Sequence, residues 1–265
     1  MKFKERVKEE EKKWRELEKI YAEKYLDNVK ELARLKGAVE FKYGVAINAD
    51  FFEIVDELKK VIWNLVIFDP PYIKTHHSDY VTRDIYSFNK DEYYSKFIPM
   101  ASKAIAPLVN DSLILFCGTT AVIPFTIALC KEGLSMRQIC MWLYKNMMPK
   151  DVIDTPAVAC EPFVWFGPQG KKATFKEYRT RDMKYRLDEK GLWGTNVFLA
   201  ATGEKGQAKS RPLYERIVKA FGYPPVLDPM AGWMTTAVVC EKLGFPWVCV
   251  EIRKEIFEEG IRRIK

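Results

Sequence analysis

Histidine is scarce in this sequence, and cysteine never occurs in a paired spacing. The 265 residues include two histidines, His76 and His77, and no C-x-x-C pair. Zinc sites need clustered Cys and His ligands, so the spacing favours isolated, buried thiols over a metal centre. We therefore expect no metal cofactor. The six cysteines lie singly in apolar stretches: Cys117, Cys130, Cys140, Cys160, Cys240 and Cys249.

Long hydrophobic runs are also missing. No segment approaches the roughly 18–20 consecutive apolar residues that a membrane span requires, and residues 1–15 are too charged for a signal peptide. Apolar residues make up 48% of the chain, charged residues 30%, and the formal net charge is +7. These values exclude a disordered chain and predict a soluble, cytoplasmic globular protein without a membrane partner. The positive charge permits a nucleic-acid partner but does not require one.

Strand and helix signals alternate along most of the chain. Continuous apolar runs such as 65–68 and 112–116 suit strands buried on both faces, and further strands are predicted at 45–48, 139–144, 162–166, 226–227 and 247–251. Helical patterns at 51–60, 91–108, 121–133, 211–221, 235–243 and 254–264 separate them. Repeated β-α-β units predict an α/β fold with a Rossmann-like, mostly parallel sheet covered by helices on both faces.

The first 37 residues form a separate unit in the pattern, ahead of a main domain at 38–265. Apolar residues at three- and four-residue spacing predict one long helix ending near Gly37. We favour packing of this helix on the main domain. The alternative is a homodimer that forms through this helix or through the helices on the sheet faces. The stripe consists of Trp14, Leu17, Tyr21, Tyr25, Val29 and Leu32.

Residues 167–206 interrupt the apolar periodicity. Eight basic and four acidic residues lie between Pro168 and Lys190, interleaved with aromatic side chains. Composition alone supports a solvated insertion and a nucleic-acid-binding arm equally. The candidate nucleic-acid contacts are Lys171, Lys172, Lys176, Arg179, Arg181, Lys184 and Arg186.

The strongest motif is Asp69-Pro70-Pro71-Tyr72, which directly follows the buried strand at 65–68. Ligands of open α/β sheets bind beyond the carboxyl ends of the strands. An exocyclic base amine develops positive charge when it attacks a methyl group, and the Asp69 carboxylate and Pro70 carbonyl could accept its N–H bonds. Tyr72 could stack on a base that has left the duplex. The motif predicts catalysis on a nucleobase amine.

A second constellation follows the strand at 226–227. Asp228 precedes a small-residue turn at Gly232, Thr235 follows at the start of a helix, and Glu251 ends the next strand. This arrangement is typical of a nucleoside-cofactor site in which the acid binds ribose hydroxyls.

Together these residues resemble the permuted β class of S-adenosylmethionine-dependent, amino-methylating DNA methyltransferases, over about residues 45–260. The resemblance implies a permuted class I methyltransferase fold, S-adenosylmethionine as cofactor, duplex DNA with a flipped base as substrate, and a target-recognition insertion at 167–206. It implies catalysis by residues 69–72 and places residues 160–166 on a strand of the H-E-x-x-x-x-F type. The implied cofactor-binding residues are Asp50 at the adenine, Lys209 and Arg211 at the methionine end, Glu251 at the ribose, and Asp69, Asp228, Gly232 and Thr235.

Two departures from the family pattern bear on function. Met234 replaces the second glycine of the cofactor motif, and Trp233 replaces a small residue. If the position of Met234 needs a positive φ, a residue with a side chain costs about 1–2 kcal/mol there, and the side chain could also crowd the cofactor. We expect methylation of adenine N6 in DNA, because Asp at the first motif position favours adenine in this family. The alternatives are N4-cytosine methylation, RNA adenine methylation and a catalytically silent nucleic-acid-binding subunit, which Met234 would favour.

Overall fold

The computed structural model describes residues 3–71, 88–145, 160–177, 196–201 and 209–264. The strands are β1 (Ala38–Glu40), β2 (Gly44–Ile47), β3 (Trp63–Phe68), β4 (Val109–Phe116), β5 (Leu134–Tyr144), β6 (Cys160–Pro168), β7 (Val197–Ala200), β8 (Val226–Asp228) and β9 (Trp247–Val250). The helices are α1 (Phe3–Lys30), α2 (Phe51–Leu58), α3 (Lys90–Glu92), α4 (Ile98–Ile105), α5 (Val122–Lys131), α6 (Arg211–Ala220), α7 (Thr235–Leu243) and α8 (Lys254–Ile261). A π-helical stretch, Tyr93–Phe97, joins α3 to α4.

All nine strands form one sheet in the order β1-β2-β9-β8-β3-β4-β6-β5-β7. Neighbours from β2 to β4 pair in parallel, and β5 pairs in parallel with β7. Only β1 and β6 run against the others. The carboxyl ends of β2, β9, β8 and β3 therefore meet at one edge of the sheet, which we call the carboxyl edge.

Two hydrophobic cores lie on opposite faces of the sheet. One contains apolar side chains of α2, α4 and α5, and the other contains those of α6, α7 and α8. All six residues of β3 are buried, because this central strand faces a core on each side. The predicted α/β fold, a mostly parallel sheet with helices on both faces, is confirmed.

The N-terminal helix packs on the main domain, as favoured from its apolar stripe. Tyr25 and Val29 are buried, and the Tyr21 ring stacks on Tyr223 with 5.3 Å between ring centroids. The helix ends earlier than predicted, at Lys30, and a 3₁₀ turn, Glu31–Arg34, leads to β1. The edge strand β1 was not predicted.

The boundaries predicted for the insertion at 167–206 are wrong at both ends. Strand β6 continues through Pro168, and Val197–Ala200 forms the edge strand β7, which pairs with β5. Residues 169–177 pack back on the domain, where the backbone N–H of Thr174 donates to Asp111 near the start of β4. At most residues 169–196 are inserted between strands of the sheet.

Four of the six cysteines are buried free thiols, and Cys130 and Cys160 are partly exposed. Within the described ranges, no group of His, Cys, Asp and Glu side chains is arranged to hold a metal ion. None of the helices that the structure describes is both long and apolar enough to cross a membrane.

Candidate active site

Four acidic residues follow the carboxyl ends of four neighbouring strands. Asp50 follows β2, Glu251 follows β9, Asp228 ends β8, and Asp69 follows β3. The strands were predicted separately from their apolar patterns, and their parallel pairing brings the four acids to the carboxyl edge. The sequence-predicted catalytic and cofactor motifs are therefore neighbours in the fold.

The loop after β3 is rigid and rich in hydrogen-bond acceptors. Pro70 and Pro71 fix two consecutive φ angles and supply carbonyl oxygens without backbone N–H groups. The Tyr93 hydroxyl donates a hydrogen bond of 2.9 Å to the Pro71 carbonyl oxygen. This contact from the π-helical stretch anchors the loop and leaves the Pro70 carbonyl as a candidate acceptor for a substrate. Tyr72, the fourth residue of the motif, lies outside the described residues.

Lys209 joins the catalytic loop to a second carboxylate. Its Nζ atom lies 3.5 Å from Asp69 Oδ1 and 2.5 Å from Glu161 Oε1. The Tyr144 hydroxyl donates to the other oxygen of Glu161 at 3.2 Å. Asp69, Lys209 and Glu161 thus form one charge cluster, with contributions from β3, the segment before α6, and β6.

The surroundings of Lys209 favour its charged form. Its Nζ atom lies 4.8 Å from the centroid of the Phe116 ring and 5.8 Å from that of Trp142. Burial disfavours the ammonium, but the carboxylates of Asp69 and Glu161 outweigh that cost and raise the pKa of Lys209 above its usual value. A cation is therefore held beside the Asp69 carboxylate, the candidate catalytic group.

Asp228 is buried beneath the turn that follows β8. Its carboxylate accepts hydrogen bonds from the Thr236 hydroxyl at 2.5 Å and from the Met230 N–H at 3.3 Å. Burial raises the pKa of Asp228 to about 7, although these two donors oppose the shift. Thr235 Oγ1 donates to the Lys209 carbonyl at 3.4 Å, which ties the turn to the segment carrying the active-site cation.

Glu251 and Asp50 bind backbone groups at the same edge. Glu251 Oε2 accepts the Gly232 N–H at 2.9 Å, and its other oxygen accepts from the backbone N–H and the side chain of Arg253. Asp50 caps α2 by accepting the Phe52 N–H at 2.9 Å. Both acids therefore fix the backbone around the predicted cofactor site, in addition to the ligand contacts that the sequence motifs predict for them.

Met234, at the second glycine position of the motif, has a left-handed backbone conformation. Its φ is 59° and its side chain is fully buried against α8, where Gly260 leaves room for it. A Cβ atom built on Gly260 would lie 2.6 Å from Met234 Cγ. The Met234 side chain thus fills the core and does not block the turn, where a Cβ on Gly232 would meet no atom within 4 Å. A nucleoside cofactor fits the residues present.

A family model described as DNA methylase, of the N6/N4 methyltransferase type, matches residues 63–262. The chain belongs to the N6/N4 DNA methylase family. The match includes the Asp69 loop, the Lys209 segment, the turn after β8 and Glu251. The chain is accordingly a DNA methyltransferase of this family.

Individual relatives and solved structures agree with the family. The type II methyltransferase M2.DpnII of Streptococcus pneumoniae is 23% identical over 262 residues, which cover 85% of this chain and 96% of that protein. The M1.HpyAVI–SAM complex has a TM-score of 0.62 and 22% identity, covering 83% of this chain and 98% of that one. The cytosine-N4-specific PvuII DNA methyltransferase has a TM-score of 0.60 and 16% identity, covering 84% and 87%. These structures share the fold.

The basic residues predicted to contact DNA are not brought to the catalytic edge where the structure describes them. Lys171 and Lys172 are exposed but lie near the amino-terminal ends of the strands, because the neighbouring Thr174 contacts Asp111 near the start of β4. The six residues from there to the end of β4 separate them from the carboxyl edge by about 20 Å. Lys176 was predicted wrongly. Its side chain is 2% exposed and pairs with Glu18 of α1 at 2.5 Å. The other four, Arg179, Arg181, Lys184 and Arg186, lie outside the described residues.

Two active-site residues received no role from the sequence. Glu161 lies in a segment that resembles a family strand, and Tyr93 lies in a predicted helix. Glu161 is the polar residue at the start of an otherwise apolar strand, which is the available signal for it. Tyr93 carries no such signal, because its contact with the loop arises from packing between distant segments.

Proposed function

We propose that this DNA methyltransferase transfers a methyl group from S-adenosylmethionine to the exocyclic N6 amine of adenine in duplex DNA. The position of the Asp69 carboxylate carries the proposal. It follows the central strand β3 and neighbours the Asp228–Gly232 turn on the adjacent strand β8. Catalytic acceptor and predicted cofactor turn are thus side by side at the carboxyl edge.

The Asp69 loop has the acceptors that an amine nucleophile needs. The nitrogen lone pair of adenine N6 is delocalised into the ring, so attack requires a change toward tetrahedral geometry and develops positive charge. The Asp69 carboxylate and the Pro70 carbonyl accept the two N–H bonds and stabilise that charge. As the new N–C bond forms, the surplus amine proton passes to the Asp69 carboxylate.

When bound, S-adenosylmethionine would supply the methyl group from a positively charged sulfur, which would keep the electron pair of the broken C–S bond. The residues that would hold it are those at the carboxyl edge. We assign Asp50 and Glu251 to the nucleoside, Asp228, Gly232 and Thr235 to the turn beside it, and Arg211 to the methionine end. We assign Lys209 both to the methionine end and to the catalytic loop, because its ammonium contacts Asp69 and Glu161.

The target base must leave the helix, because N6 of a paired adenine is out of reach of a loop at the edge of a sheet. We assign Tyr72 to stacking on the flipped base, and Arg179, Arg181, Lys184 and Arg186 to the DNA backbone. Alanine at Tyr72 should weaken base binding by about 1–3 kcal/mol. This role and the recognition role of the insertion rest on sequence.

The choice of adenine rests on Asp69 at the first position of the motif, which favours adenine in the family. The fold alone does not decide the base, since a cytosine-N4-specific enzyme shares it. The decisive experiment incubates the protein with methyl-labelled S-adenosylmethionine and unmethylated, mixed-sequence duplex DNA made by amplification, with RNA in parallel. The products are then digested to nucleosides and separated.

Label in N6-methyladenine from DNA is the expected result. Label in N4-methylcytosine would overturn the choice of base, and label confined to RNA would overturn the choice of polymer. No label, together with no saturable binding of S-adenosylmethionine, would indicate a silent subunit. The placement of the Met234 side chain in the core supports a functional cofactor turn against that last alternative.

A further inference from the structure

We infer that Lys209 and Glu161 are positioning residues that set the charge state of the catalytic Asp69. In this role Lys209 is the counterion that allows two neighbouring carboxylates to be ionised together at neutral pH. The inference rests on the proposed function for the role of Asp69. It departs from the cofactor contact that the sequence resemblance implies for Lys209.

The geometry of the cluster carries this inference. Lys209 Nζ lies 3.5 Å from Asp69 and 2.5 Å from Glu161, so the two carboxylate oxygens are within about 6 Å of each other. The three side chains are between 14% and 21% exposed, so water screens them only partly. Two carboxylates at this separation repel, and one of them would bind a proton more tightly if no cation lay between them.

Several contacts hold Lys209 in this place. The Phe116 and Trp142 rings lie beside its ammonium, and the Thr235 hydroxyl donates to its backbone carbonyl. On the far side, the Tyr144 hydroxyl binds the second oxygen of Glu161. The cation is thus fixed between the carboxylates, unlike an exposed lysine that samples many rotamers.

Among the residues that the structure describes, the other titratable groups facing the cluster are acids that do not replace the Lys209 cation. Burial raises the pKa of Cys117 to about 12 and raises that of Tyr93, Tyr144 and Tyr214, so these groups are neutral across the working range. Burial also raises the pKa of Asp228, to about 7. Asp228 therefore titrates in the same range in every variant compared below, so the test compares the direction in which the limb moves between variants and not the position of any one limb.

The protonation state of Asp69 matters because only the ionised carboxylate can both stabilise the developing positive charge and take up the amine proton. Without Lys209, one of the two carboxyls binds a proton more tightly, and Asp69 spends more of its time as a neutral acid than in the wild type. The rate of methyl transfer should then fall at the acid end of the pH range and recover as the pH rises. A lysine that merely filled space would give a loss that is independent of pH.

The test measures single-turnover methyl transfer to mixed-sequence duplex DNA between pH 5.5 and 9.5. In Lys209→Met we expect the acid limb of the rate profile to move to higher pH by about one unit or more, so that the rate at the lowest pH falls at least tenfold. Adding Glu161→Gln to Lys209→Met should return the limb toward the wild-type position. Glu161→Gln alone should move the limb in the opposite direction, because Asp69 then faces the cation without a second carboxylate.

Two further variants control the comparison. Lys209→Arg keeps the positive charge and should keep the acid limb at the wild-type pH whatever happens to the maximal rate, and Lys219→Met removes an exposed lysine of α6 and should change nothing. A pH-independent loss in Lys209→Met that Glu161→Gln does not reverse would overturn the inference. So would a limb that moves in the same direction in both single variants.

Thermal unfolding of the cofactor-free protein gives a readout independent of activity. In Lys209→Met one carboxyl binds its proton more tightly in the folded state than in the unfolded state, so stability falls as the pH rises above the ordinary carboxyl pKa of about 4. Relative to wild type, this fall should disappear when Glu161→Gln is added. A wild-type protein that methylates nothing would refute the proposed function, whereas an active wild type with unshifted variant profiles and unfolding curves would refute only this inference.

Discussion

The packing of Met234 against Gly260 predicts that Gly260→Ala destabilises the wild-type protein but not a protein that already carries Met234→Ala. Gly260 lies inside α8, where alanine should stabilise an open helix by about 0.5–1 kcal/mol. Here the added Cβ would lie 2.6 Å from Met234 Cγ, about 1 Å inside an ordinary carbon–carbon contact. Overpacking of this kind costs about 1–3 kcal/mol, so Gly260→Ala should destabilise the wild type by about 1–2 kcal/mol in total.

Met234→Ala removes the atom at 2.6 Å and leaves two milder contacts of the added methyl, at 3.3 Å, with the Cβ at position 234 and the Trp233 carbonyl carbon. Alone it should cost about 2–4 kcal/mol, because a fully buried methionine is truncated. In that background the Gly260→Ala methyl enters the space that the methionine vacated, so it should be neutral or stabilise the protein by up to about 1 kcal/mol. The coupling free energy between the two sites should then be about 2 kcal/mol.

Urea unfolding of the four cofactor-free proteins measures this cycle. Gly118→Ala is a matched control, since Gly118 has φ −58° and a Cβ there meets no atom within 4 Å. It should change the free energy of unfolding by less than about 0.5 kcal/mol in either background. If Gly260→Ala changed the free energy of unfolding equally with and without Met234, within about 0.5 kcal/mol, the Met234 side chain would not occupy the space beside Gly260.

Three other predictions follow from single contacts. Asp228→Asn should stabilise the cofactor-free protein by up to about 4 kcal/mol above pH 7 and by little below pH 4. The reason is that the pKa of Asp228 is raised from 3.8 to about 7, so its ionisation destabilises the fold. Equal gains at pH 4 and pH 8 in thermal unfolding would contradict this. Tyr93→Phe removes the hydrogen bond to the catalytic loop and should slow single-turnover methyl transfer by about three- to tenfold with cofactor affinity unchanged, whereas a full rate would show that the loop needs no such anchor. Arg181→Ala should weaken duplex binding and lower its salt slope by about 1, while Lys171→Ala, at the far edge of the sheet, should do neither; the reverse pattern in binding titrations would place the DNA on the other edge.

Much of the fold follows from apolar patterning. The segments at 65–68 and 226–227, which precede Asp69 and Asp228, are short runs without polar residues, and such runs are buried on both faces only in the middle of a sheet. The sequence leaves the backbone conformation of Met234 open, and its left-handed φ is a finding of the structure.

The edges of the sheet could not be predicted in the same way. Strands β1 and β7 are three and four residues long, and their signal is no stronger than that of a loop. Their pairing depends on neighbours that tertiary structure supplies. The burial of Lys176 is of the same kind, since its partner Glu18 is 158 residues away in the sequence.

The charge cluster illustrates the same limit at the active site. The motifs predicted Asp69 and Lys209 separately, with different roles, and gave Glu161 none. The Lys209–Glu161 contact spans 48 residues and joins a strand to the start of a helix. A charge pair formed across that distance leaves no periodicity in the sequence, so only the fold reveals that one cation serves two carboxylates.

The central claim is that the Asp69 carboxylate accepts the amine during methyl transfer. Asp69→Asn keeps the size of the side chain and removes its charge, and Asp56→Asn, at a surface carboxylate of α2 that is 86% exposed, is the matched control. Single-turnover transfer of labelled methyl to unmethylated duplex DNA should fall at least 100-fold in Asp69→Asn, roughly the 3 kcal/mol or more that one electrostatic acceptor contributes, with saturable cofactor binding and the unfolding midpoint retained. Asp56→Asn should match the wild type. A rate for Asp69→Asn within a few-fold of wild type would contradict the account.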